Sequence, residues 1–328
     1  MNEALTDTFG RRHSDLRVSL TDRCPLRCVY CMPAEGVTPR PSAELLTAEE
    51  IVRIVGVAVA MGVTRVRLTG GEPLLHPDIV GIVAGIAALP DAPELSMTTC
   101  GVGLDRLAQP LAEAGLQRIN VSLDTVDADT YRKLTRRGDL AQVLRGLESA
   151  KAAGLSPIKL NAVLMRGIND SGAAELLDFA LAGGYELRFI EQMPLDGGHI
   201  WQRTTMVTAG ETLAQLEQAH ELAALPHDNA PARRWLVDGG PSTVGIIAAV
   251  TEPFCAFCER LRLTADGQLR NCLFSQTECD LRTPLRAGAA DEVLAGIISA
   301  CVWAKAAGHG IGGSAFVQPA RPMSAIGG

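Results

Sequence analysis

Short β-rich apolar runs recur along the first 195 positions, at Asp15–Leu20, Thr64–Thr69, Glu94–Thr98, Gln117–Leu123, Pro157–Leu164 and Tyr185–Gln192. Between them lie longer stretches with apolar residues at helical spacing. The clearest, LTAEEIVRIVGVAVAMG, opens on a capping box made by Thr47 and Glu50 and closes at Gly62. Further helices are expected to start near Pro77, Asp105, Asp139 and Ser171. Six such β/α units predict a parallel sheet with helices packed outside it, because parallel strands need crossover connections. A closed eight-fold barrel usually takes about 250 residues. The expectation is therefore an α/β fold, an incomplete (β/α)6 TIM-type barrel, with its chemistry in loops at the C-terminal ends of the strands.

After residue 195 the pattern changes. Gly and Pro cluster in DGGH, DNAPARR and DGGPS, strands shorten, and three closely spaced cysteines appear. The chain is expected to divide into a barrel over residues 1–195 and a smaller C-terminal cluster-binding region over residues 196–328. That second region closes with a helix near Ala289–Ala307 and a Gly-rich tail.

Composition narrows the class. With 47% hydrophobic and 20% charged residues in 328, the chain reads as globular. A net charge of −7 argues against a broad nucleic-acid surface. The longest apolar stretches, Ile54–Val63 and Ile79–Leu89, are shorter than the roughly 20 residues of a membrane span. The opening MNEALTDTFGRRHSD has no apolar signal region, so a cytoplasmic protein is expected. Nine cysteines cannot all pair within one chain, and reduced thiols are the default there.

Six of the nine fall in two triplets. Cys24, Cys28 and Cys31 form C-x3-C-x2-C directly after the first strand. Three thiolates can hold three irons of a cubic 4Fe-4S cluster and leave the fourth iron open. Zinc suits the same soft donors, but a structural zinc is closed by four ligands, and no fourth Cys or His lies nearby. Cys255, Cys258 and Cys272 form C-x2-C-x13-C. Here a zinc knuckle is a stronger alternative, since Cys279 follows seven residues on. Gly70-Gly71-Glu72-Pro73 follows the second strand and, taken alone, is a strand-to-helix turn that uses glycine for positive φ. The histidines show no ligand spacing, Gly101-x-Gly103-x-x-Arg106 lacks the third glycine of a dinucleotide fingerprint, and no phosphate loop of the G-x4-G-K-[ST] type exists.

The C-x3-C-x2-C motif with Tyr30 before its last cysteine, followed at this distance by GGEP, resembles the radical S-adenosylmethionine superfamily. Within it the chain is similar to the GTP 3',8-cyclase family of molybdenum cofactor biosynthesis, nearly end to end. The segments are DLRVSLTDRCPLRCVYCMP, RLTGGEPL, RINVSLD, KLNAVLMRGIND, RFIEQMP, FCAFCERLRLTADGQLRNCLF and the closing Ile326-Gly327-Gly328. The resemblance implies two 4Fe-4S clusters, one on Cys24, Cys28 and Cys31 completed by S-adenosylmethionine, the other on Cys255, Cys258 and Cys272 completed by substrate. It implies a lyase in which reductive cleavage of S-adenosylmethionine gives a 5'-deoxyadenosyl radical that removes the ribose 3' hydrogen of GTP. C3' then bonds to guanine C8, giving (8S)-3',8-cyclo-7,8-dihydroguanosine 5'-triphosphate.

By the same resemblance Tyr30, Gly71, Ser122 and Met193 contact S-adenosylmethionine. Arg17, Arg67, Thr98, Lys159, Arg260, Leu261 and Arg262 contact GTP, and Gly327 and Gly328 form a tail that enters the active site. The charges agree with this, because five cations at strand ends and beside a cysteine triplet would neutralise a triphosphate within an acidic protein. The implied partners are GTP, a reducing donor such as flavodoxin or ferredoxin, and a downstream cyclic pyranopterin monophosphate synthase, for a monomer or homodimer without nucleic acid or membrane. Cys100, in MTTCG, departs from the family, which more often has Asn there; with Cys279 and Cys301 it has no assigned role. A two-cluster peptide-modifying enzyme and a zinc-binding structural protein are the rival classes.

Overall fold

The computed structural model describes residues 5–228, 230–313 and 316–327. Six parallel strands follow the expected runs: β1 (Asp15–Ser19), β2 (Arg65–Thr69), β3 (Glu94–Thr99), β4 (Arg118–Ser122), β5 (Ile158–Ala162) and β6 (Glu186–Ile190). The second half of the chain adds β7 (Leu222–Ala224), β8 (Arg233–Val237), β9 (Thr243–Ile247), β10 (Arg260–Leu263), β11 (Gln268–Arg270) and β12 (Cys279–Asp280). All twelve make one sheet, in the order β12-β11-β10-β1-β2-β3-β4-β5-β6-β9-β8-β7. β10 lies parallel to β1 and β9 parallel to β6, while the outermost strands are antiparallel. Among the described residues β7 and β12 are the two ends, so the sheet is open and parallel-rich.

The helices are α1 (Ala48–Ala60), α2 (Ile79–Ala87), α3 (Leu104–Glu113), α4 (Ala128–Thr135), α5 (Leu140–Ala152), α6 (Ala173–Gly183), α7 (Ala209–Leu216), α8 (Arg282–Arg286), α9 (Asp291–Trp303) and α10 (Met323–Ile326). The Thr47–Glu50 capping box is formed at α1. Alternation along the strands separates packing from chemistry, since successive side chains point to opposite faces. In β1 and β2, Leu16, Val18, Val66 and Leu68 are buried in the core, while Arg17, Arg65 and Arg67 take the other face. Truncating one fully buried leucine such as Leu68 to alanine costs about 2–5 kcal/mol. Glu191 of the RFIEQ segment is consumed by the fold: its carboxylate accepts from the amides of Ala209, Val250 and Thr251 and from the Thr251 hydroxyl at 2.6–2.9 Å.

Candidate active site

A cavity of about 1100 Å³ opens on the face of the sheet that carries the polar alternation. Cys24, Cys28 and Cys31 line it on the loop after β1, and so do Cys255, Cys258 and Cys272. The two triplets approach from opposite ends of the strands. β10 runs parallel to β1, with Arg260 opposite Asp15. Cys258, just before β10, is therefore at the N-terminal end of the sheet, and Cys24, after β1, at the C-terminal end.

The first triplet is braced by α4, an element the sequence reading did not anticipate. The last carbonyls of α4, those of Leu134 and Thr135, accept from the amides of Val29 and Arg27 at 3.0 and 2.9 Å. Arg136, with φ of 61° at the helix end, donates to the carbonyls of Arg27 and Met32. The Cys31 amide turns back onto the Cys28 carbonyl at 3.0 Å, which compacts the motif. The Tyr30 hydroxyl donates to Asp124 at 2.8 Å, and Asp124 also accepts from the Val163 amide. Burial pushes the Asp124 carboxyl up to about 6 against those two hydrogen bonds.

Gly70 and Gly71 show why GGEP follows the second strand. Gly70 has φ of 147°, and a side chain at either position would run into the backbone of Thr21 to Arg23. The Gly71 and Glu72 amides donate to the Thr21 and Arg23 carbonyls at 2.7 and 2.8 Å, which locks the two loops together. Glu72 is fully buried and accepts from the Leu74 and Cys100 amides and the Thr99 hydroxyl at 2.6–3.0 Å. Burial holds its carboxyl above the usual range. Cys100 thus stands on the cavity wall, and its thiol hydrogen-bonds with that of Cys24.

Between the triplets the sheet presents a rung of guanidinium groups. Arg17 is in register with Arg262 on one side and Arg67 on the other. Burial first, then repulsion from Arg260, Arg262 and Arg67, holds Arg17 well below the usual arginine range despite Asp15. Arg67, Arg188 and Arg262 are drawn down to about 10, mainly by burial. The Nε atoms of Arg17 and Arg188 are buried without a hydrogen-bond partner. Crowded guanidinium groups remain charged at neutral pH, so the cavity is set for a polyanion. Lys159 reaches the same wall and pairs with Glu186 at 2.5 Å. Thr98 accepts from Asn120 at 3.3 Å, and Asn120 in turn accepts from Arg188 at 2.9 Å.

The β10–β11 hairpin explains how cysteines fourteen positions apart meet, since Cys258 precedes one strand and Cys272 follows its antiparallel partner. Cys279 is not on the cavity wall: it sits on β12, in register with Leu269 of β11 and beside the buried Cys301. It does not complete a four-thiolate site on the second triplet. Among the described residues no three His, Cys, Asp or Glu side chains converge on a single ion. A cluster does not need that convergence, because each thiolate takes a different iron. The donor chemistry, two sets of three free thiols lining one cavity, fits the two clusters.

Of the remaining expected positions, Tyr30, Gly71, Ser122, Met193 and Arg260 line the cavity. Leu261 does not; it is fully buried on the core face of β10. Gly327, with φ of 90°, packs against Ser19 and Thr69 where a side chain would clash, and its carbonyl accepts from Arg262. Ser19 donates to the Ile326 carbonyl at 3.0 Å. Gly328 lies outside the described residues. Arg188 and Arg118 also line the cavity and were not singled out from sequence. The available signal for Arg188 was its place two residues after Glu186 on one strand face.

Residues 18–180 match the Radical SAM superfamily, and residues 185–311 match Molybdenum Cofactor Synthesis C. A GTP 3',8-cyclase of Streptomyces coelicolor is 56% identical over 328 residues, covering 99% of this chain and 96% of that protein. Another, of Mycolicibacterium smegmatis, is 54% identical over 333 residues, covering 99% and 92%. Streptococcus suis SuiB bound to S-adenosylmethionine shares the fold, with a TM-score of 0.61 at 16% identity over 88% of this chain and 68% of that one. Sequence identity above one half over almost the whole of both chains places this chain in the GTP 3',8-cyclase family, within the Radical SAM superfamily.

Proposed function

We propose that this protein is a radical S-adenosylmethionine GTP 3',8-cyclase acting in molybdenum cofactor biosynthesis. The observation that carries the reading is the single cavity in which two free-cysteine triplets face each other across a rung of arginines. Cys24, Cys28 and Cys31 hold one 4Fe-4S cluster, and Cys255, Cys258 and Cys272 hold the other. When bound, the clusters and S-adenosylmethionine supply the electron and the 5'-deoxyadenosyl radical that takes the 3' hydrogen of GTP and leads to the C3'–C8 bond.

The protein's own part is positioning. Gly71 lets its loop lie against the Asp22–Arg23 backbone beside the first triplet, where the methionyl end of S-adenosylmethionine sits with Tyr30, Ser122 and Met193 around it. Arg17, Arg67, Lys159, Arg260 and Arg262 neutralise the triphosphate, and Thr98 supplies a hydroxyl on the same wall. Leu261 contributes through the backbone between two of those arginines, because its side chain is in the core. Holding GTP along this rung sets its ribose toward one triplet and its base toward the other, and proximity of that kind accounts for much of a cyclisation's rate. Gly327 occupies the space beside Ser19 and Arg262 and brings the tail to the arginine rung.

In this reading residues 1–195 form a partial (β/α)6 barrel for S-adenosylmethionine and residues 196–328 the region for the second cluster. The protein works in the cytoplasm as a monomer or homodimer, takes electrons from a donor such as flavodoxin or ferredoxin, and passes its product to cyclic pyranopterin monophosphate synthase. The test is anaerobic reconstitution, iron and sulfide counts, then incubation with dithionite, S-adenosylmethionine and GTP. The expected result is about eight irons per chain and GTP-dependent 5'-deoxyadenosine. About four irons, or no cyclised GTP, would overturn it.

A further inference from the structure

The second triplet rests on buried charges that the reaction above does not use. Lys305, just after α9, is only 4% exposed. Its ammonium donates to the carbonyls of Cys258 and Arg260 at 3.0 and 3.1 Å, and stands 3.5 Å from both Cys258 Sγ and His13 Nδ1. His13, also buried, places its Nε2 3.0 Å from Asp7 Oδ2. Asp7 accepts from Arg11 Nε at 2.6 Å, and Arg11 donates onward to the carbonyls of Cys255, Ala306 and Ala307 at 2.7–3.0 Å. With Lys305 donating to Nδ1, the imidazole carries its proton on Nε2 and donates to Asp7.

The charge count of this network does not close on itself. It contains two cations, Arg11 and Lys305, and one carboxylate, Asp7, and all three are buried. A buried ammonium that met only carbonyls would carry several kcal/mol of uncompensated desolvation. The anion within reach of Lys305 is the sulfur of Cys258, which is a thiolate whenever it ligates iron.

We propose that Lys305 is a positioning residue for the second cluster: its ammonium gives the Cys258 thiolate a charge-assisted N–H···S hydrogen bond, oriented from behind by His13 and Asp7. This rests on the two-cluster reading and adds to it. Hydrogen bonds and positive charge at a cluster's sulfur ligands stabilise the reduced form. Lys305 therefore sets the reduction potential of the cluster that faces the substrate, without touching substrate itself.

The experiment uses full-length protein with Cys24, Cys28 and Cys31 all replaced by alanine, so that only the second cluster is observed. Its potential is measured by redox titration followed by electron paramagnetic resonance, alongside iron counts and thermal stability. Lys305→Met is expected to move the potential to more negative values, Lys305→Arg to restore most of it, and His13→Gln to give a smaller shift of the same sign. An unchanged potential in a Lys305→Met protein that keeps its cluster would overturn the proposal, whatever its thermal stability. If Lys305→Met assembles no cluster, His13→Gln decides: a potential equal to the parent's overturns the proposal, a negative shift supports it. A parent that binds zinc or no iron would instead overturn the two-cluster reading on which the proposal rests.

Discussion

The two cysteine triplets have the same donors and opposite surroundings. Around the first stand the carboxylates of Glu72 and Asp124 and the Tyr30 hydroxyl; around the second stand Lys305, Arg260 and Arg262. The thiols follow the difference only in part. Burial, with Asp124 adding, pushes Cys28 far above the usual thiol range, and burial pushes Cys31 up to about 12, but Cys24 is lowered, first by its hydrogen bond with Cys100. In the second triplet Lys305 and Arg260 outweigh burial and hold Cys258 below that range, while burial raises Cys255. Of the two carboxylates only Asp124 reaches the cavity wall, where it would face a sulfonium ligand, while Arg260 and Arg262 bring positive charge to the wall by the second triplet, as a nucleotide requires. In the proposed reading, the division of labour between the two triplets rests on the residues around the thiols rather than on the thiols themselves.

Exchange of ligands makes the largest break in this comparison. Replacing Cys24, Cys28 and Cys31 by alanine should reduce 5'-deoxyadenosine formation to background. Replacing Cys255, Cys258 and Cys272 should leave S-adenosylmethionine cleavage measurable and remove the cyclised product; chromatography of both products from one reaction checks this. Next in size, Arg17→Ala should weaken GTP binding about ten- to a hundredfold, the worth of a charge-assisted hydrogen bond, while S-adenosylmethionine affinity stays the same. Equilibrium binding of each ligand, with Arg17→Lys as a poorly compensating control, separates the two effects.

Gly71→Ala tests the opposite end. The added carbon would meet the Arg23 carbonyl, which is backbone and cannot swing aside, so the loop bearing the first triplet has to shift, at a cost of about 2 kcal/mol. It should fall on S-adenosylmethionine affinity and leave GTP binding intact. The smallest expected effect on ligand binding, and one read in stability instead, concerns the brace of the second triplet. Burial raises the Asp7 carboxyl, but His13, the Phe9 amide and Arg11 together bring it from 3.8 down to about 2. A lowered acid stabilises the fold above its unfolded value, and that contribution is lost as pH falls through the folded one. Asp7→Asn should therefore cost about 2 kcal/mol at neutral pH, with the difference from the parent vanishing between about pH 4 and 2 in denaturant titrations.

Much of the first half was legible because its signals are local. The runs at Asp15–Leu20 and Thr64–Thr69 became β1 and β2 with ends shifted by one residue, and the helix expected near Ala289–Ala307 is Asp291–Trp303. α4 escaped notice because its eight residues are mostly polar, with Tyr131, Leu134 and Thr135 its only buried side chains. β9 and β10 joining the first sheet could not be read locally either, since pairing of Asp15 with Arg260 is a fact of topology. The cysteine triplets were visible from spacing alone, and the cationic residues only through the family resemblance. Arg188 and Lys305 were missed for one reason: a lone basic residue in sequence carries no sign of whether it will be buried, and burial is what gives each its meaning.

The shared sheet also governs how the chain tolerates being cut. A fragment ending near residue 195 would lack β9 and β10, leaving the outer edges of β1 and β6 unpaired. Naked parallel edges with a hydrophobic face beside them are templates for intermolecular pairing. Such a fragment should precipitate when expressed alone and be rescued by co-expression of the missing piece.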